Sequence, residues 1–396
     1  MGSRRDRWRF GAILVTAALL GGLLTIRPPV FVDNLDRRIF DLRMAALPER
    51  PASPDLVLVL AREETAARIG KWPWPRSIHA RLLDRLDEAR AVVLDILFPE
   101  GSEPGEDVLL AEAAARNGRV VTAIHLAPPQ GDVPSRIIPP YEGLFRAAAD
   151  VGVTNVEADR DGLFRYAVPL WPAAGGAVPS LPLAAAALAL GVRPLVEGEE
   201  GDLRLILGNR SLRLDGDRRI WIRFSRVPPR TYEYLDVLLG KVPPGSFRGK
   251  IVLVGLSAAG AGDVVQIPQG LRVRSAAGVQ YNGEILRTLL EGFSPAGLPA
   301  WSLGVTGILA SGSAAALPLL VRPVRAAAGF LGIVLALAGA GQLLLSPGGG
   351  ILPLAAPLFP ALIAFGACLF LRLRVLHGEQ RTQHLSVFGI LDLVRG

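Results

Sequence analysis

Trp301-Ser302-Leu303-Gly304-Val305-Thr306-Gly307-Ile308-Leu309-Ala310 opens an apolar run that continues to Val321 without a charged side chain. Two more runs follow, Ala326 to Leu345 and Ile351 to Leu371, and a fourth stands near the start, Phe10 to Ile26. Each is close to the ~20 residues a helix needs to cross a ~30 Å hydrocarbon core. Ordinary globular sequence fills the space between the first run and the second. The chain therefore reads as a folded domain, 27–300, held on one side of a membrane by four transmembrane α-helices, 10–26, 301–321, 326–345 and 351–371. Short ends remain at 1–9 and 372–396.

The arginines orient this plan. Arg4, Arg5, Arg7 and Arg9 precede the first span, Arg322 and Arg325 fill the link between the second and third, and Arg372 and Arg374 follow the fourth. The link from Ser346 to Gly350 carries no charge. Placing the arginine-flanked segments in the cytoplasm satisfies every loop, with both termini inside and the domain outside. A cleaved signal peptide is the rival for the first span. The run is long for one, and no small-x-small site precedes Arg27-Pro28-Pro29.

The formal charge of +7 does not point to nucleic acid: Lys71, Lys241 and Lys250 are the only lysines, and no dense basic run interleaved with aromatics occurs. The single cysteine, Cys368, falls inside the fourth span, so the domain is held by its own core and not by an intrachain disulfide. Four scattered histidines and no cysteine cluster give a metal site no support, and no cofactor is expected.

Within the domain, Phe31 to Leu47 has helical spacing and ends at the prolines from Pro48 to Pro54. Leu56-Val57-Leu58-Val59-Leu60-Ala61 and Ala91 to Phe98 read as buried strands, with a helix from the N-cap Ser77 to about Ala89 between them. Asp107 to Asn117 is a helix closed by Gly118, and Arg119 to Leu126 a third strand. This alternation predicts an α/β domain with a mainly parallel central sheet and helices on both faces.

An antiparallel insertion follows: a hairpin of Val151–Val156 with Phe164–Leu170 around Asp161-Gly162, then a meander of Leu203–Leu207, Ser211–Leu214 and Ile220–Phe224. Between these two, Pro179 to Leu190 is an Ala/Leu helix. Tyr234–Leu239 is a further helix, Lys250–Gly255 returns to strand, and Gly278–Leu290 is a helix leading to the membrane.

The glycine-rich stretch Gly255 to Asp263 follows a strand but lacks the Lys-Ser/Thr ending of a nucleotide loop, so it reads as a connection at the sheet's C-terminal edge, where ligands sit in open α/β sheets. Glu157 to Gly162 imitates a calcium loop, but its twelfth position is Val168, and an Asp-Gly turn is the simpler account. Asp95 interrupts the apolar strand Val92-Val93-Leu94-Asp95-Ile96-Leu97, where a carboxylate is costly unless compensated. It either pairs with a group such as Arg76 or caps nearby amides, or it faces a ligand. Trp72 and Trp74 are a lid over the core or an aromatic wall for a ligand.

These residues resemble the second type of CHASE domain, the extracellular sensory domain of bacterial adenylate cyclases, histidine kinases and serine/threonine kinases. The resemblance runs from Phe40-Asp41-Leu42-Arg43 through Gly70-Lys71-Trp72-Pro73-Trp74-Pro75-Arg76-Ser77-Ile78-His79-Ala80, Val93 to Phe98, Asp159-Arg160-Asp161-Gly162 with Arg165, Pro179-Ser180-Leu181, and Gly249 through Asp263. The one-plus-three arrangement of spans is also that of the family. The resemblance implies a multi-pass sensor of the bacterial inner membrane, with candidate ligand-binding residues Trp72, Trp74, Arg76, Asp95, Asp161, Arg165 and Asp263. It implies an unknown small-molecule ligand, and a homodimer or a separate signalling or envelope protein as partner.

Two features depart from the family. Its Ile-Asp-Asp-like strand end is Leu60-Ala61-Arg62-Glu63 here, and the short segment after Arg374 holds no cyclase or kinase. Val387, Leu391 and Val394 have the spacing of a short signalling helix. The chain is thus expected to be non-enzymatic, relaying to an output it does not carry. Alternatives are a structural or scaffold subunit of a membrane or envelope complex, or the sensory half of a truncated adenylate cyclase or histidine kinase.

Topology is checked by single cysteines introduced on a Cys368→Ser background. Positions 135 and 346 should label from outside the cell, and positions 3 and 382 only after the inner face is opened. Labelling of position 346 only from the inner face overturns the arrangement.

Overall fold

Proline sets the first break in the chain. Helix α1 (Arg4–Ile26) stops before Pro28-Pro29, which remove two amide donors and disfavour helical geometry just ahead of them, and α2 (Val30–Ala45) leaves at 67°. The computed structural model describes every residue except 1–3, 52, 129–134, 174–175, 200, 258–263, 347–348 and 396; for 4–7, 9 and 378–395 it describes the backbone alone.

The chain then alternates β1 (Leu56–Ala61), α3 (Arg76–Asp84), β2 (Ala91–Asp95), α4 (Pro104–Asn117), β3 (Val120–Ala127), β4 (Arg136–Ile138), β5 (Asp150–Val153) and α5 (Leu181–Leu190). Later come β6 (Arg230–Glu233), β7 (Ile251–Leu256), the pair β8 (Val264–Gln269) and β9 (Arg272–Ala277), and α6 (Gly278–Glu291). Three long helices end the chain: α7 (Ala300–Leu320), α8 (Pro323–Leu344) and α9 (Ala355–Arg395). Two compact units result, a globular one of residues 44–296 with 346–349, and a helical one of 1–43, 297–345 and 350–396. The compact globular unit thus begins at Met44, and most of α2 groups with the membrane helices.

The globular unit is built on a sheet of order β6-β1-β7-β2-β3-β4, with β5 also on β3. All neighbours are parallel except β3 and β4. Alternation along β1 divides the core. Val57, Val59 and Ala61 join Leu82 and Leu83 of α3 and Leu110 and Ala113 of α4, whereas Leu56, Leu58 and Leu60 join Leu183 of α5 and Ile285, Leu286 and Leu289 of α6. Full burial of each such aliphatic side chain is worth about 1.5–3 kcal/mol. The mixed α/β class with a parallel-rich sheet and helices is therefore present.

Several local expectations change. Helix α3 starts at Arg76 after Pro75 and stops at Asp84, and the Ser77 amide is held by the Glu106 carboxylate of α4 at 2.7 Å in place of a Ser77 cap. Strand β2 ends at Asp95. The hairpin around Asp161-Gly162 is replaced by two separate pairings: β5 joins the parallel sheet, and Tyr166–Ala167 pairs with Ile220–Trp221. The third strand of the meander is Leu195–Glu197, since Ile220–Trp221 is used elsewhere. The β8–β9 hairpin, turning at Gly270 with φ +66°, and the edge strand β6 were not anticipated.

Among the described residues of the helical unit, three helices are long and apolar enough to span a bilayer: Ala300–Leu320, Pro323–Leu344 and Ala355–His377. The expected fourth exists only as a bent pair, Phe10–Ile26 with Val30–Ala45. Small residues bring α1 and α7 into backbone contact. A Cβ on Gly21 would lie 2.1 Å from Ser311 Oγ, and one on Gly307 would lie 2.5 Å from the Gly21 carbonyl oxygen.

Helix α2 clamps the turn between α8 and α9. The Asp36 carboxylate accepts the amides of Leu354 and Ala355, each at 2.6 Å, and of Ala356 at 2.8 Å, which caps the positive end of α9. Two turns further along α2, the Arg43 guanidinium donates to the Leu352 carbonyl at 2.6 Å and to the Gly341 carbonyl in the last turn of α8. Each charge sits at the helix end whose dipole it complements. Asp36→Ala should lower the stability of the helical unit by about 1–2 kcal/mol, the cost of a lost cap, read from thermal unfolding of the full chain in micelles against wild type. A melting curve that does not move excludes the cap as a structural determinant.

Candidate functional site

The carboxyl ends of β2 and β7 open onto a cavity of about 240 Å³ in the globular unit. Its walls are Trp72, Asp95, Ile96, Leu97, Thr154, Val156, Leu256, Val265, Gly278, Val279 and Asn282. Such a crevice, outside the carboxyl ends of parallel strands, is where open α/β sheets hold ligands. Gly255 makes the geometry possible. It lies beside Asp95 in register, and a Cβ there would fall 2.7 Å from Val279 Cβ, so only glycine lets the start of α6 press against the strand end.

Asp95 is fixed from two directions. Thr154 Oγ1 donates to Oδ1 and Asn282 Nδ2 to Oδ2, both at 2.9 Å. Both donors are neutral groups that orient the carboxylate. The expected partner Arg76 is engaged elsewhere. Its guanidinium carbon lies 4.4 Å from the Phe98 ring centroid, and Nε is 3.7 Å from the Asp107 carboxylate.

The two tryptophans have different fates. Trp72 is half-buried and walls the cavity, whereas Trp74 is core, its indole nitrogen donating to the Gly70 carbonyl at 2.8 Å. The rings meet at 5.2 Å, and both pack on His79, at 5.7 and 6.1 Å. Asp161 and Arg165 form a separate structural cluster. Arg165, 1% exposed, donates to Asp161 at 2.6 and 2.8 Å and to the buried Asp159 at 2.9 Å, holding the 159–165 turn by ion pairs. Neither residue lines the cavity. Asp263 lies outside the described residues.

Sequence reasoning missed Thr154 and Asn282, which stand 59 and 187 positions from Asp95. Asn282 did carry a signal: it is a buried amide among Val279, Ile285 and Leu286, on the face that packs α6 to the sheet. Among the described residues no group of three or more His, Cys, Asp or Glu side chains is placed to hold a metal ion.

Comparison with known families gives one match. The CHASE2 domain matches residues 12–318, most of the chain. The chain belongs to the CHASE2 family. No curated protein and no solved structure matches it. CHASE2 is a family of extracellular sensory domains, and with three membrane-length helices this chain is a membrane protein.

Behind Trp72 the CHASE2 domain buries a neutral dyad. The His79 Nδ1 and Tyr234 hydroxyl are 2.8 Å apart, and both residues are fully buried among Trp74 and Phe98. Burial, helped by the nearby Arg76 charge, pulls the imidazole down to about 3. An unfolded imidazole titrates near 6.5. Between those values the unfolded chain takes up a proton that the folded chain refuses. The stability tied to neutral His79 is therefore complete above about pH 6.5 and is lost as pH falls.

Glu284 acts with the opposite sign. Burial raises it to about 7 although Arg50 lies 3.2 Å away, so between its ordinary 4.5 and that value the folded chain holds the proton more readily, and acid stabilises it. Comparing wild type with His79→Phe cancels the Glu284 contribution. From pH 6.5 down to 4.5, wild type should lose about 1.4 kcal/mol per pH unit more than His79→Phe in denaturant unfolding. Parallel pH profiles for the two proteins refute a neutral buried His79.

Proposed function

We propose that this chain is a bacterial inner-membrane sensor whose CHASE2 domain lies outside the cytoplasm and takes a small ligand in the Asp95 crevice. Helix α1 serves as the fourth span, both termini are cytoplasmic, and α9 carries the state of the receptor to a cytoplasmic output. This reading assigns no catalytic step to the chain.

One observation carries the proposal. A carboxylate oriented by two neutral donors, beside an indole wall, lines a cavity at the carboxyl ends of the parallel strands. A buried strand gains no stability from a carboxylate that an aliphatic side chain would not supply more cheaply, so its retention at a cavity mouth fits recognition. The family's sensory character supports the same assignment. Relay requires a ligand with different affinity for two states of the receptor. Helix α2 offers a covalent route, since it joins the first span to the segment leading into β1 and grips both α8 and α9.

Filling the cavity mimics occupancy. Val156→Trp, in the full chain in micelles, should change amide exchange at Leu354, Ala355 and Ala356 severalfold, because those amides report the Asp36 clamp. Exchange identical to wild type at these positions, in a variant that remains folded, sinks the relay.

A further inference from the structure

Helix α2 carries an exposed apolar stripe beside its grip on the membrane helices. We propose that α2 is an interfacial helix, lying in the membrane plane with Phe31, Leu35 and Leu42 set among lipid headgroups and upper acyl chains; this rests on the sensor reading above, in which α1 is a span. Phe31 is 59% exposed, Leu35 52% and Leu42 41%, and Arg38 is exposed between the leucines. Positions 31, 35, 38 and 42 stand at i, i+4, i+7 and i+11, so they form one row along the helix.

The rest of α2 fixes where that row points. One residue step, about 100° around the helix, brings Val32, Asp36 and Arg43 into line. Val32 is buried against Ala355 and Ala356, and Asp36 and Arg43 hold the turn between α8 and α9. That turn ends one span and begins the next, so α2 lies at the level of the bilayer surface. Phe31 meets Phe359, one turn into the α9 span, at 5.1 Å, which sets the head of the row just below that level. Two steps, about 200°, bring Asp33 and Arg37, paired at 2.9 Å, to the side away from the row. The 67° bend after α1 turns the helix toward the membrane plane.

Other placements fit less well. As a continuation of the first span, α2 would carry Asp33, Asp36, Arg37, Arg38, Asp41 and Arg43 into the hydrocarbon core, where charge is costly. The run from Phe10 to Ile26 is already long enough to cross. In water, the helix would leave a row of large apolar side chains uncovered. At the interface both conflicts vanish. The row reaches apolar lipid, the ion pair meets water, and the Arg38 stem lies along the row while its guanidinium rises to the lipid phosphates.

The test uses the full chain in nanodiscs of phosphatidylethanolamine and phosphatidylglycerol, with one nitroxide per chain on the Cys368→Ser background. Collisions with oxygen and with a water-soluble nickel chelate report the depth of each label. Labels at Leu35→Cys and Leu42→Cys should lie about 5–10 Å into the headgroup and acyl boundary, with an oxygen-to-nickel ratio about fivefold or more above that at Arg37→Cys. A label at Leu335→Cys, an exposed position in the middle of α8, marks mid-span depth.

Nickel access at 35 and 42 equal to that at 37 puts the row in water and overturns the proposal. So does exclusion of both reagents, which means that a protein surface such as a second copy covers the row. A depth equal to that at 335 means a re-entrant helix and overturns it too. Either position decides alone if the other variant fails to fold. If the interfacial placement fails while Val156→Trp still alters exchange at Leu354–Ala356, the sensor reading stands without it; if both fail, neither stands.

Discussion

The insertion of β7 between β1 and β2 is the constraint on which the globular unit depends. Its six residues pair in parallel with β1 on one side and five of them with β2 on the other, so the sheet is completed only when a late segment enters between two early ones. The register of that entry sets Gly255 beside Asp95. With no Cβ at Gly255, Val279 closes over the strand end, and Asn282, one turn later in α6, meets the Asp95 carboxylate. A single β pairing thus determines the sheet, the seat of α6 and the geometry of the crevice. A slip of one residue would turn every side chain of β7 to the opposite face.

Much of this was legible because the central strands are buried on both faces. Leu56–Ala61 and Ile251–Leu256 are continuous aliphatic runs, and only a covered parallel strand accommodates such a run in a short segment. The Ala/Leu helix at Leu181–Leu190 and the Gly118 cap were equally plain. The polar, half-exposed edges were not. Arg230–Glu233 is a strand because β1 offers it an edge, and nothing in Arg-Thr-Tyr-Glu announces that. The 150–170 region misled because Asp161-Gly162 is a true turn, but Arg165 closes it with ion pairs and the flanking segments find partners elsewhere.

The site was legible in part for a related reason. Asp95 and Trp72 stand out in an apolar context, and both line the crevice. Trp74 and Arg76 lie in the same motif yet serve the core and the Asp107 pairing, a division set by what Gly70 and α4 offer them and not by the motif itself. Thr154 and Asn282 reach Asp95 only through tertiary folding. Charge is handled in two ways across the unit. Arg165 and Arg50 are buried with carboxylates at ion-pair distance, whereas His79 is accommodated by remaining neutral. The first depends on geometry and the second on proton availability.

Helix α9 runs unbroken for 41 residues, about 61 Å at 1.5 Å per residue. A bilayer core takes up about half of that length. The remainder continues as the same helix, whose interior proline, Pro360, stands in the second turn. Asp36 holds the amides of the turn before it, and the missing amide at Pro360 loosens the backbone just beyond that grip. Any hinge in this long helix is therefore built at its head, beside the clamp, and not along its length.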